Sequence, residues 1–164
     1  MNHWIMTDNH LGHHRLHEEE LGGRPVGFEE TILKNISAIV QPGEVYIDLG
    51  DTAIYQHEYW HRRLREACKG RMILVRGNHD SKSISWYYDH GWDFVADEIL
   101  IEAFGKRLLF SHRPSQNTDN FDYNIHGHFH STKHHPEIST MPKHILVYIE
   151  HTYRPVSLRK LINA

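Results

Sequence analysis

The alternation of apolar and polar positions predicts a mixed α/β chain. In the first half, short apolar runs alternate with segments whose apolar residues recur every three or four positions, as on one face of an amphipathic helix. In the second half β-rich runs predominate, and Gly105 separates two of them as the turn of a hairpin does. Residues 11–27 are polar and interrupted by glycine and proline, which predicts a loop. The predicted elements, in chain order, are strand 3–7, helix 28–40, strand 44–49, helix 57–69, strand 72–75, helix 81–90, strands 97–104, 106–111, 123–126 and 145–149, and a closing helical turn at 158–162.

Length and composition restrict the class of protein. With 164 residues we expect a single domain over 1–164, and the formal net charge of −3 gives no general attraction for polyanions. A nucleic-acid substrate would therefore be held locally. The single cysteine, Cys68, cannot form an intramolecular disulfide, and no apolar run approaches the roughly 20 residues of a membrane span. The first residues have neither a basic region nor a long apolar core, so we expect no secretory signal, a cytoplasmic location and no membrane partner. No obligate protein partner is evident.

Chemically active side chains follow five of the apolar runs. The central stretch is Gly-Asn-His-Asp at 77–80, directly after the run 72–75 and before a predicted helix. A strand followed by a glycine turn delivers side chains to the carboxyl edge of a sheet, where open α/β folds place their ligands. Asn78 offers a neutral oxygen and His79 a titratable imidazole, a pair suited to holding a metal and moving a proton beside it. The other four stretches are Asp8-Asn9-His10, Gly50-Asp51, Ser111-His112 and Gly127-His128-Phe129-His130.

In this order the five stretches resemble the signature of the calcineurin-like metallophosphoesterases, which is Asp-x-His, Gly-Asp, Gly-Asn-His-Asp/Glu, His and Gly-His-x-His. The resemblance runs from Met6 to His130. It is strongest to small stand-alone bacterial and phage members, in which Asp-x-His is followed by Gly-His, as Gly12-His13 is here. It implies an α/β fold built as a four-layer α/β/β/α sandwich, whereas the spacing of the elements alone shows only a mixed α/β chain.

The resemblance also implies a dinuclear metal site. Phosphate esters resist attack because the nucleophile must approach an anion, and two metal ions supply both positive charge and a hydroxide near neutral pH. Oxygen and imidazole ligands without a thiolate favour two divalent transition-metal ions, with manganese expected first and iron, nickel or zinc as alternatives. Position by position, the resemblance assigns one ion to Asp8, His10 and His130 and the other to Asn78, His112 and His128. It makes Asp51 the ligand that bridges the two ions.

His79 is implied to be the general acid that protonates the departing oxygen, or a donor that stabilises charge on the phosphate. The phosphoprotein phosphatases that share this signature carry an Asp and an Arg soon after Gly-Asp, where Ile54 and Tyr55 stand here. The missing Asp leaves open what orients His79, and the missing Arg argues against a phosphoserine or phosphothreonine substrate. Asp80 either assists His79 or caps the following helix.

We expect a metal-dependent phosphodiesterase acting on nucleotides, cyclic phosphates or nucleic-acid ends. The segment between Arg113 and Tyr123 is too short for a lid, so the site should be open to extended substrates. One alternative is a phosphomonoesterase acting on a small phosphorylated metabolite. Another is a scaffold without catalysis, against which stand the seven intact ligand positions and His79. Substrate contacts are expected from Asn78, His79, His13 and Arg113, with Arg24 and Arg76 as further cations near the site.

Many histidines and arginines lie outside these motifs. The chain has 17 histidines, and about half of them are expected to be solvent or packing residues. Three arginines on the helix predicted at 57–69 are expected to form a solvated face. The residues concerned are His57, His61, His90 and His151, and Arg62, Arg63 and Arg65.

Overall fold

Two β-sheets and the helices beside them make up the fold. The computed structural model describes residues 1–18, 23–130 and 136–163. Part of the predicted loop at 11–27 forms a 3-10 helix at His14–His17, and its residues 19–22 lie outside the described residues. The elements are β1 (His3–Met6), α1 (Phe28–Ile39), β2 (Val45–Asp48), α2 (His57–Ala67), β3 (Arg71–Val75), α3 (Ile84–Asp89), β4 (Phe94–Ala96), β5 (Glu98–Ala103), β6 (Lys106–Ser111), β7 (Tyr123–His126), a 3-10 helix (Pro136–Thr140), β8 (His144–Leu146), β9 (Val156–Ser157) and α4 (Leu158–Leu161).

The first sheet has the strand order β4-β3-β2-β1-β9. Strands β1 to β4 pair in parallel, with Trp4 opposite Tyr46 and Tyr46 opposite Met72, and β9 pairs antiparallel to β1. All four residues of β2 are buried, as expected for a central strand covered on both faces. Because β1, β2 and β3 run in the same direction, the loops that follow them emerge at one edge of the sheet.

The second sheet has the strand order β5-β6-β7-β8. Strands β5 and β6 form the predicted antiparallel hairpin through Gly105, and β6, β7 and β8 pair in parallel. Strand β6 ends at Ser111 and β7 at His126, which lie opposite each other in the register. The segments beginning at His112 and Gly127 therefore start side by side.

Two apolar cores hold the layers together. One lies between the first sheet and helices α1, α2 and α3, with Ile32, Leu64 and Tyr87 facing strand residues such as Met72. The other lies between the two sheets, where Ile5 and Ile47 share a cluster with Phe110 and Ile125. This pair of sheets flanked by helices confirms the sandwich predicted from the resemblance.

The structure departs from the predicted elements at the start of α3, at β8 and at two short strands. Helix α3 begins at Ile84 instead of Ser81, because the hydroxyl of Ser83 accepts a hydrogen bond from the backbone N of Trp86 and caps the helix there. Strands β4 and β9 were missed because three and two residues are too few to show alternation. The strand predicted at 145–149 as the last one is β8, which ends at Leu146. The last strand of the structure is β9. Among the described helices none has the length and apolarity needed to span a bilayer.

Candidate metal centre

The candidate site lies where the loops that follow β1, β2, β3, β6 and β7 meet. Backbone hydrogen bonds join these loops to one another: Asp8 N donates to Gly50 O at 2.9 Å, His10 N to Asp51 O at 2.9 Å, and Gly127 N to His112 O at 3.0 Å. The backbone hydrogen bonding between neighbouring strands thus continues into the loops that follow them. The backbone that carries the side chains of the site is therefore held in place by the protein itself.

A first group of metal-binding side chains comprises Asp8, His10 and His130. The Oδ1 atom of Asp8 lies 3.7 Å from Nε2 of His10 and 3.5 Å from Nε2 of His130. Asp8 and His10 are buried, and His130 is half-buried. The three residues offer one oxygen and two imidazole nitrogens to a common point.

A second group comprises Asp51, His112 and His128. The Nε2 atom of His112 lies 3.4 Å from Oδ2 of Asp51, 3.1 Å from Nδ1 of His128 and 3.1 Å from Oδ1 of Asn78. The same Asp51 oxygen is 3.8 Å from Nε2 of His10, in the first group. The structure therefore brings together all seven residues that the resemblance named as ligands, with the Asp51 carboxylate between the two groups.

Unsatisfied buried atoms test whether these residues fit metal ions. Asp8 Oδ1 and His10 Nε2 are shielded from solvent and have no hydrogen-bond partner in the described part of the chain. A buried polar atom without a partner costs roughly 1–3 kcal/mol, and an ion held by both of these atoms would remove that cost. Two nitrogens 3.1 Å apart, on His112 and His128, face the same carboxylate in the second group. Mixed oxygen and nitrogen donors without a thiolate suit divalent transition metals, so the residues fit such ions.

The backbone is strained at five of the seven residues. Asp8, His10, Asp51, His128 and His130 all have positive φ, between 49° and 75°. This left-handed region is unfavourable for residues other than glycine, at a cost of about 1–3 kcal/mol each, and it is concentrated at functional sites in proteins. The strain turns each side chain into the space between the loops.

Charges in the site favour ionised carboxylates. Burial raises the pKa of Asp8, but the neighbouring rings of His10, His130 and His112 outweigh it and the pKa lies below its ordinary value. Burial lowers the pKa of His112, but Asp51 and Asp8 outweigh that effect and raise it to about 9. The carboxylates thus attract positive charge, which protons on the histidines or a metal ion can provide.

Two glycines let the loops approach closely. A Cβ added to Gly127 would overlap the hydroxyl of Thr7 and the carboxylate of Asp8, and one added to Gly77 would overlap Asp51. Because Gly127 has no side chain, the Asp8 carboxylate can approach the loop, where its Oδ2 accepts a hydrogen bond from His128 N at 2.9 Å. Glycine at these positions is therefore required for packing of the site as well as for the turns.

His79 stands at the open side of the site. Its backbone N donates to Asp51 Oδ1 at 2.8 Å, and its Nε2 lies 3.9 Å from Asp51 Oδ2, with the side chain 50% exposed. The neighbouring Asp80 does not cap α3, because Ser83 caps that helix instead. Its buried carboxylate accepts hydrogen bonds from the backbone N of Asp51, Thr52 and Gly77, and burial raises its pKa to about 6. Asp80 therefore ties the loop after β2 to the loop after β3.

The predicted substrate contacts lie around this opening. Nη2 of Arg113 is 3.5 Å from Oδ1 of Asn78, and the ring of His13 is 6.2 Å from the ring of His10. Arg76 is paired with Asp97 at 2.6 Å and lines the same groove as Arg113.

Glu150 is the residue at the site that sequence reasoning missed. Its Oε1 accepts hydrogen bonds from Nδ1 of His130 at 3.0 Å and from Nη2 of Arg24 at 2.6 Å. Arg24 is 2% exposed and also donates to the backbone O of Asp8 and of Asn9, both at 2.8 Å. Arg24 is therefore a buried structural cation instead of a phosphate contact. No sequence signal marked Glu150, because it follows the last motif by twenty residues in a segment with no motif of its own.

The chain has the fold of the calcineurin-like metallophosphoesterases, and two of its Asp/His groups could bind metal ions. An archaeal phosphodiesterase of solved structure, 18% identical, has the same fold with a TM-score of 0.52 over 80% of this chain and 74% of that one.

More extensive similarity joins the chain to two proteins of unassigned activity. A protein of unknown function from Aquifex aeolicus is 25% identical and superposes with a TM-score of 0.82, over 99% of this chain and 98% of that one. An uncharacterized protein of Methanocaldococcus jannaschii is 28% identical over 169 residues, which cover 97% of this chain and 88% of that protein. No protein-family model matches the chain.

Proposed function

We propose that this protein is a metal-dependent phosphodiesterase that hydrolyses nucleotides, cyclic phosphates or nucleic-acid ends. The observation that carries the proposal is the convergence of two Asp/His groups on the Asp51 carboxylate, with buried ligand atoms of Asp8 and His10 left unsatisfied. The proposed first ion is held by Asp8, His10 and His130, the second by Asn78, His112 and His128, and Asp51 serves both. When bound, the ions neutralise the phosphate oxygens and make hydroxide available near neutral pH.

The residues of the chain account for the remaining chemistry. In hydrolysis an oxygen from water bonds to phosphorus, the ester P–O bond breaks, and the departing oxygen needs a proton. His79 is suited to donate that proton, because its ring is half exposed at the open side while its backbone is fixed by Asp51. Arg113 and Asn78 are suited to hold the phosphate, since they line one open groove of about 680 Å³ together with His112.

The charge around the opening supports a diester over a monoester. A phosphate diester carries one negative charge fewer than a monoester dianion, and therefore needs fewer fixed cations. Arg24 and Arg76 are engaged by Glu150 and Asp97. Among the described residues that line this groove, Arg113 is the cation without an ion pair. A single free arginine in this groove suits the monoanionic diester.

A matched kinetic comparison tests the proposal. With manganese-loaded protein at about pH 8, kcat/KM for bis-nitrophenyl phosphate or a 2′,3′-cyclic nucleotide should exceed kcat/KM for nitrophenyl phosphate. A tenfold preference for the monoester, about 1.4 kcal/mol in transition-state binding, would instead support the phosphomonoesterase. Absence of turnover on both esters in a protein that binds metal would support the scaffold.

A further inference from the structure

A second groove lies beside the candidate metal centre, on the side of α2 and α3. Its volume is about 420 Å³, within the range of small-ligand pockets. Two loops lead to it from the contact between Asp51 and His79, one reaching Gln56 and the other Lys82. Three residues of extended chain span at most about 11 Å, so the Lys82 backbone lies within that distance of His79. The described residues that line this α2–α3 groove are Gln56, His57, Glu58, Tyr59, Arg62, Lys82 and Trp86.

Free positive charge distinguishes the α2–α3 groove from the rest of helix α2. Arg63 pairs with Glu30, and Arg65 donates to the backbone O of Gly70 and lies near Asp93. Arg62 alone of the three arginines enters the groove, and in the described part of the chain it forms no ion pair.

Lys82 is the second free cation in the groove. Within the described ranges it too lacks a carboxylate partner, and its Nζ lies 5.9 Å from the centre of the Trp86 ring. Glu58 is the one acidic residue among those described as lining the groove. Two unpaired cations against one carboxylate leave a local positive charge on a chain whose net charge is −3.

Aromatic side chains lie next to these cations. Tyr59 is 41% exposed although its ring packs edge-on against Trp60, and Tyr55, 49% exposed, extends the aromatic surface toward the metal centre. The ring of Tyr55 stacks on His14 and lies 5.9 Å from the ring of His13. Exposed aromatic rings interleaved with cations are typical of sites that bind single-stranded nucleic acid, because phosphates pair with the cations while bases stack on the rings.

We propose that the α2–α3 groove binds the nucleotide next to the scissile phosphodiester of a single-stranded nucleic acid. Arg62 and Lys82 contact its phosphate, and the exposed ring of Tyr59 offers a surface to its base. The metal centre would then have a substrate groove on each side, one lined by Arg113 and one by Lys82, as a strand that passes through the site requires. The inference rests on the proposed phosphodiesterase function, since it extends the substrate of the same site.

Binding without metal isolates the groove from the chemistry. A fluorescein-labelled single-stranded oligothymidylate is titrated with the full chain in EDTA, and fluorescence anisotropy is measured between about 50 and 200 mM salt. The double variant Arg62→Gln/Lys82→Gln should lose about tenfold in affinity, and the slope of log K against log salt should fall by about 0.7, the change for one lost phosphate contact. Each single variant should lower the slope by about half as much.

Lys34→Gln on α1 is the matched control, because Lys34 is an exposed cation that lies outside the described groove lining. It should leave the salt slope close to that of the wild type. Equal losses in Lys34→Gln and Arg62→Gln would overturn the inference, as would unchanged binding by the double variant. Inorganic polyphosphate that competes as well as the oligothymidylate would also overturn it, because no base would then be recognised. Failure of the proposed hydrolysis is separately visible, since turnover of bis-nitrophenyl phosphate is measured with metal and without an oligonucleotide.

Discussion

Single residues outside the motifs hold the candidate ligands in place. Glu150 accepts a hydrogen bond from Nδ1 of His130, which leaves Nε2 of the same ring facing Asp8. Arg24 neutralises Glu150 and fixes the backbone of Asp8 and Asn9 from the other side. Because partners of this kind set the tautomer and orientation of a metal-binding histidine, their loss reduces metal affinity. The Arg24–Glu150 pair thus supports the first group of ligands and makes no contact with the second.

Glu150→Ala should therefore weaken the binding of one ion and spare the other. We expect a loss of about 10–100-fold in the affinity of one of two manganese equivalents, measured by calorimetric titration. Glu150→Gln keeps an acceptor for His130 and should recover part of the loss. Glu18→Gln, in the exposed pair with Arg15, is the control and should change neither equivalent. Equal weakening of both equivalents would show that Glu150 acts on the fold as a whole.

The role of His79 is separable from metal binding. His79→Ala should keep the metal content of the wild type and lower turnover by about 10²–10⁴-fold, the usual contribution of a general acid. The loss should shrink for nitrophenyl esters, whose leaving group departs without a proton. Metal content is checked by elemental analysis and turnover with esters of graded leaving group. If good and poor leaving groups lose equally, His79 positions the phosphate instead of donating a proton.

At the scale of elements, the sequence predicted the strands with their loops better than it predicted the caps. Strands β1, β2 and β3 could be found because each is an apolar run followed by a polar loop, and those loops carry Asp8, Asp51 and Asn78. The start of α3 could not be found, because Ser81 and Ser83 are equally good caps by residue type and only the structure shows that the Ser83 hydroxyl accepts from the backbone N of Trp86. Glu150 was missed, and Arg24 was expected near the site without its partner, because the pairing of these two residues depends on the folded chain.

Helix α2 carries a buried histidine that makes stability depend on pH. His61 is fully buried, its Nδ1 accepts a hydrogen bond from Nε1 of Trp92 at 2.9 Å, and burial lowers its pKa to about 3. In the unfolded chain the pKa is about 6.5. Because the folded pKa is the lower one, the stabilisation is complete above about pH 6.5 and is lost as the pH falls toward 3.

Between pH 7 and pH 5 this histidine should remove roughly 2 kcal/mol from the free energy of unfolding. The measurement is urea unfolding of the protein in EDTA at both pH values, compared with His61→Leu. The variant should be less stable at pH 7, because Trp92 loses its acceptor, but should show a smaller difference between the two pH values. His17→Leu, at an exposed histidine of the 3-10 helix His14–His17, is the control. An undiminished pH difference in His61→Leu would show that other groups carry the acid sensitivity.

At the scale of the whole molecule, the two sheets bring distant parts of the chain to one place. Asp8 and His130 are separated by more than a hundred residues, yet they lie 3.5 Å apart because β1 and β7 end at the same edge of the sandwich. The resemblance indicated this convergence, while hydrophobic periodicity alone showed neither the strand order nor the short β4 and β9. Hydrophobic periodicity does not show which strands pair, because the pairing of strands distant in the sequence follows from packing between the sheets.

Two ions bound at these converging loops are the central claim, and metal analysis tests it most directly. After manganese loading and removal of free metal, elemental analysis should find up to two equivalents per chain, and Tm should rise because ions bound only to the native state stabilise it. Asp51→Asn, which removes the charge between the two groups, should weaken both equivalents, whereas Asp97→Asn, exposed and paired with Arg76, should weaken neither. A wild-type protein that retains no metal and shows no change in Tm on manganese addition would contradict the account.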